Sequence, residues 1–73
     1  MAFLAYWVND IALDKGDHVM HDETCIDLPP LAERTPLGLH LDCRGALDIA
    51  KVYHDHVNGC PRCCPDCRNS VKQ

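Results

Sequence analysis

The apolar positions of this chain change period part-way along. Residues 2–8, AFLAYWV, are an unbroken apolar and aromatic run, the pattern of a strand buried on both faces. Strand alternation would set Phe3, Ala5 and Trp7 on one face and Leu4, Tyr6 and Val8 on the other. Residues 18–28, HVMHDETCIDL, are polar but interrupted by Val19, Met20 and Ile26, and predict a second strand. Lys15-Gly16-Asp17 between the two has the chemistry of a hairpin tip. Residues 29–36, PPLAERTP, read as loop, because Pro29, Pro30 and Pro36 restrict the backbone and withdraw donors. LGLHLDC, residues 37–43, alternates as a short strand with Leu37, Leu39 and Leu41 on one side.

Beyond Cys43 the spacing becomes helical. Ala46, Ile49, Ala50, Tyr53 and Val57 form one apolar stripe and predict a helix over 43–57. Asp42 is placed to cap it, and Asn58-Gly59 to stop it, since glycine tolerates the left-handed conformation at a helix end. The remainder, CPRCCPDCRNSVKQ, reads as a metal knuckle running into a short last helix. The expected fold class is α+β: a small antiparallel sheet or hairpin from residues 2–41, packed on one main helix, with a C-terminal zinc knuckle. No repeat or second core appears, so 1–73 is expected to be a single small zinc-binding domain.

Size makes a staple expected. A chain of 73 residues buries only about 60% of the surface it exposes when unfolded. Its 47% hydrophobic content includes six cysteines, and just four residues are aromatic. Charge is uneven: residues 1–43 carry eight acids against Lys15 and Arg34, whereas residues 44–73 carry five cations against three acids. Five cations over thirty residues are sparse for phosphate binding. The acidic half suits a basic protein partner better, or a solvated face. MAFLAYWVND lacks the basic start of a secretory leader, and no run approaches the ~20 apolar residues of a membrane span. The expectation is a cytoplasmic protein with no membrane role, where thiols stay reduced.

That setting turns the cysteines towards metal. Cys60-Pro-Arg-Cys63 and Cys64-Pro-Asp-Cys67 are both C-x-x-C, a spacing that lets a tight turn aim two sulfurs at one ion. Four residues before the first pair stands His56. At the end of the predicted helix, His56 with Cys60 and Cys63 would supply three donors within eight residues, and zinc is the expected ion.

HVNGCPRC resembles the zinc-binding motif of the bacterial zinc-containing anti-sigma factors, H-x-x-x-C-x-x-C after an amphipathic helix. The resemblance covers residues 47–63. It implies His56, Cys60 and Cys63 as ligands together with an upstream His or Cys, and a sigma factor as partner.

The fourth ligand is open. Cys25 is favoured, with Cys43, Cys67, His18 and His21 as alternatives. Cys43 and His56 at opposite ends of one helix would stand roughly 20 Å apart, so one ion cannot hold both. Cys64 adjoins Cys63, which makes a shared ion awkward. A second ion drawing on Cys43, Cys64, Cys67 and the other histidines is a further possibility. Each of these residues alone is more often a small hydrophobe or a locally satisfied imidazole.

The functional expectation is a small structural-zinc protein acting as a protein-interaction module, a regulator of transcription bound to sigma factor or polymerase. Alternatives are a nucleic-acid-binding zinc finger using Lys51, Arg62, Arg68 and Lys72, a thiol-rich metal carrier, an iron–sulfur site, and a secreted disulfide scaffold. No H-E-x-x-H or deaminase signature is present, and the mass is small for a cleft. No enzyme activity is expected.

Overall fold

The computed structural model describes residues 2–13 and 16–68. Lys15 of the expected hairpin tip and the C-terminal part of the expected last helix lie outside them. Four strands, β1 (Leu4–Asn9), β2 (His18–Asp22), β3 (Arg34–His40) and β4 (Val57–Gly59), surround one helix, α1 (Cys43–Tyr53), in chain order β1-β2-β3-α1-β4. Short 3-10 turns occupy Leu31–Glu33 and Pro65–Cys67. The sheet order is β3-β1-β2-β4. The fold class is α+β, as the patterning predicts.

The apolar run becomes an inner strand. β1 pairs antiparallel with both β2 and β3; Tyr6 and Val8 are buried and its other residues half-buried, so the second face is covered only in part. Tyr6 and Val8 from β1, Met20 from β2 and Leu37 from β3 meet Cys43, Ala46 and Ala50 of α1 in the core. Trp7 takes the opposite face. There the Arg34 guanidinium lies 4.2 Å from its ring centroid and donates to the Pro29 carbonyl at 2.8 Å, tying the long 23–33 loop against the sheet.

Three boundaries depart from the sequence expectation, each for a physical reason. The helix ends at Tyr53, not Val57, and His54 is already extended. The His54 ring stacks on His18 with centroids 3.6 Å apart, and its Nε2 reaches Asp10 at 3.2 Å. The released segment continues as β4, parallel to β2; the sheet is therefore mixed, not antiparallel. Second, Arg34, Thr35 and Pro36, expected in a loop, begin β3. This strand is at the sheet edge, where a proline costs no ladder hydrogen bond. Third, Leu37 is buried while Leu39 and Leu41 are exposed. A register shift opposite Tyr6/Trp7 and Gly38 at φ 87° break the alternation that would have grouped the three leucines.

The helical stripe shifts too. Cys43, Ala46 and Ala50 are its buried residues and Leu47 packs beside them, whereas Ile49 and Tyr53 face outward. Asp42 does cap α1, accepting a hydrogen bond from the Arg44 amide at 3.0 Å.

Candidate metal centre

Four donors converge at the end of β2: His21, Cys25, Cys60 and Cys63, one ligating atom from each lying within 4.8 Å of every other. This cluster can hold a metal ion. His21 is the penultimate residue of β2, pairs with Trp7, and is only 5% exposed. Cys25 returns to it through a tight turn after β2. In that turn the Asp22 carboxylate accepts from the Thr24 amide at 2.8 Å and its hydroxyl at 2.6 Å, and the Cys25 amide donates to the Asp22 carbonyl at 3.2 Å.

The other pair arrives on the parallel strand. His18, Val19 and Met20 are registered with Val57, Asn58 and Gly59, and the Cys60 amide donates to the Met20 carbonyl at 2.9 Å. One step further in that register brings Cys60 alongside His21. The knuckle then closes, the Cys64 amide donating to the Cys60 carbonyl at 2.8 Å. Gly59 is required by the tightness of this turn: a Cβ there would overlap the Cys64 carbonyl oxygen and sit 3.1 Å from the Cys67 Cβ.

The spacings suit a tetrahedral thiolate site. Zn–S bonds near 2.3 Å put two sulfurs of a tetrahedron about 3.8 Å apart, and the Cys25 and Cys60 sulfurs are separated by 3.8 Å. The Cys63 sulfur lies 4.0 Å from the His21 Nδ1. Two sulfurs also accept from backbone amides, Cys63 from Asp22 and Cys60 from Arg62, both at 3.4 Å. Such bonds favour the charged thiolate, the form that binds metal.

Burial pushes the Cys25 and Cys63 thiols above their ordinary range. At Cys60 burial acts in the same direction, but the amides of Cys63 and Arg62 outweigh it and hold the thiol below its usual value. Burial also depresses the His21 imidazole, keeping it in the neutral, ligating form. Three thiolates this close repel one another. A divalent cation removes that conflict, and its binding drives the protons off.

Of the sequence candidates, Cys25, Cys60 and Cys63 come together and His56 does not. His56 is exposed on a separate groove of about 560 Å3 with Asp17, Arg44 and Asp55 among its walls. The shortened helix explains this: His56 precedes β4 in extended chain, and its carbonyl accepts from the His18 amide at 2.8 Å. His21, weighed as one of several alternatives, takes the fourth place. The signal for it was present, since His21-x3-Cys25 repeats the spacing of His56-x3-Cys60. Cys43 and Cys67 are joined in a disulfide, which withdraws both as ligands in this state and departs from the expectation of wholly reduced thiols. Cys64 is free and buried.

No known family model, curated protein or solved structure matches this chain. Among the described residues, no helix is long and apolar enough to cross a membrane.

Proposed function

We propose that the cluster binds one structural Zn2+ and that the chain works as a zinc-stapled protein-interaction module. The observation that carries the reading is the closed set of four protein donors, three sulfurs and one imidazole. Soft thiolates with imidazole suit zinc. Four protein ligands leave no position for a reacting water, which favours a staple over a catalytic centre. Loops from both halves of the chain are held at one point, where a domain this small gains most.

The interaction role is supported by what the staple leaves outside. Ile49, Val52 and Tyr53, at i, i+3 and i+4 on α1, are 40%, 79% and 55% exposed, an apolar ridge on the helix surface. A protein partner fits this better than nucleic acid. Arg62 is already paired with Asp27 at 2.9 Å, and the groove carrying Arg44, Lys51 and Arg68 also carries Asp17, Asp55 and Asp66. A sigma factor, the partner implied by the motif resemblance, and RNA polymerase are the first to test, in a cytoplasmic setting.

Native mass spectrometry of protein purified without chelator should show one zinc ion, and a strong chelator should unfold the domain. A metal-free protein that keeps its circular dichroism in chelator would refute the staple. Purified sigma factor and polymerase should be retained by the wild type and lost with Val52→Asp; retention of neither would remove the proposed partners.

A further inference from the structure

Two sulfur groups lie side by side in this core. Cys64 is 1% exposed, and its sulfur stands 3.7 Å from that of Cys63. Cys43 and Cys67, joined to each other, belong to the same buried cluster as Cys64. Cys43, Cys63 and Cys64 also share the wall of a cavity of about 250 Å3, together with Asp22, Asp42 and Asp66. Three carboxyl residues and three cysteines around one small space make a setting for a cation.

We propose that the Cys43–Cys67 disulfide closes a second metal site, which reduction opens. In the reduced protein Cys43, Cys64 and Cys67, with the Cys63 sulfur shared between two ions, hold a second Zn2+ beside the first. The shared ligand rests on the reading of Cys63 as a ligand of the first ion.

The chemistry balances with a dithiol reductant. Its two thiols are oxidised to a disulfide, the Cys43–Cys67 bond takes up the two electrons and two protons, and Zn2+ then displaces the thiol protons to solvent. Geometry favours the rearrangement. The Cys43 and Cys67 Cα atoms are 6.2 Å apart, so χ1 rotations can spread their sulfurs to the roughly 3.8 Å edge of a zinc–thiolate tetrahedron. The Cys63 and Cys64 sulfurs already have that separation. Cys64-Pro-Asp-Cys67 folds as a 3-10 turn, the Cys67 amide donating to the Cys64 carbonyl at 3.1 Å, and Cys67 packs in the same buried cluster as Cys64. Cys43 opens the eleven-residue α1, where the helix dipole favours a thiolate. In a reducing compartment a disulfide of this kind is transient, so the second site would fill and empty with the local thiol balance.

The test is an ion count. Wild type and Cys64→Ser are prepared oxidised, and anaerobically after dithiol reduction. Each is saturated with Zn2+, freed of excess by gel filtration, and weighed by native mass spectrometry. The expected counts are one ion for oxidised wild type, two for reduced wild type, and one for Cys64→Ser in both states. Oxidised Cys64→Ser keeps the disulfide and the first donor set, so its single ion doubles as the folding control. One ion in reduced wild type overturns the second site while leaving the first intact. A second ion retained by reduced Cys64→Ser also overturns it, because the ion then lies elsewhere. A zero count in oxidised wild type strikes the structural-zinc reading instead, and the two failures are distinct.

Discussion

His21 and His56 should respond differently to replacement. Replacing His21 with Ala removes one of four donors from a buried site, whereas replacing His56 with Ala alters an exposed groove wall. Structural zinc binding is worth about 10–16 kcal/mol at neutral pH. Shared among four donors, this makes the imidazole worth roughly 3–4 kcal/mol, or about a 100- to 1,000-fold loss of affinity. Zinc held at about a thousand times its dissociation constant stabilises the fold by about 4 kcal/mol. His21→Ala would lose most of that. At roughly 4–8 °C per kcal/mol for a domain of this size, its melting temperature should fall by about 10–30 °C. His56→Ala should stay within ~0.5 kcal/mol of wild type, because the bond to His18 uses the His56 backbone carbonyl. Competition with a chromophoric chelator measures affinity, and thermal denaturation in fixed free zinc measures stability. His21→Cys, with a fourth sulfur, should recover binding. A His56→Ala protein that loses zinc while His21→Ala keeps it would refute the assignment of donors.

Gly59→Ala forces a Cβ onto the Cys64 carbonyl and within 3.0 Å of the Cys67 carbonyl carbon; with only backbone to yield, it should cost about 2–3 kcal/mol by urea denaturation, and an unchanged midpoint would deny the close approach. Asp42→Ala removes the cap on the Arg44 amide and should cost about 1 kcal/mol, with Asp42→Asn near neutral in the same assay. Burial holds the Cys25 and Cys63 thiols above their ordinary range, so both are protonated in the metal-free protein at neutral pH. Zinc binding at pH 7 should therefore release about two to three protons per ion. The metal-free state binds the additional protons, so affinity must fall as pH falls; calorimetry in buffers of different ionisation heat counts them, and release below one proton would contradict thiolate ligation.

The local statements in the sequence were strong where one element's own chemistry sufficed. The apolar run at 2–8 supplied most of an inner strand of the sheet, Leu4–Asn9. The Asp42 cap marks where α1 starts, but its eleven residues rely on packing against the sheet. Cys60-x2-Cys63 brings two sulfurs together by its own turn, and the expectation of a staple follows from length and composition. What no local pattern could settle was which histidine joins them. Both His21-x3-Cys25 and His56-x3-Cys60 have workable spacing, and an uninterrupted helix to Val57 would have favoured the second. Contacts remote in sequence, His54 with Asp10 and His18, stop that helix at Tyr53. The chain freed in this way pairs with β2, and the parallel register delivers Cys60 to His21. Such pairing depends on sites some forty residues apart, and its free energy appears only when the tertiary fold closes the loop between them. The donor set, the parallel edge and the Cys43–Cys67 bond therefore belong to the tertiary structure, as does the burial that raises the Cys25 and Cys63 thiols.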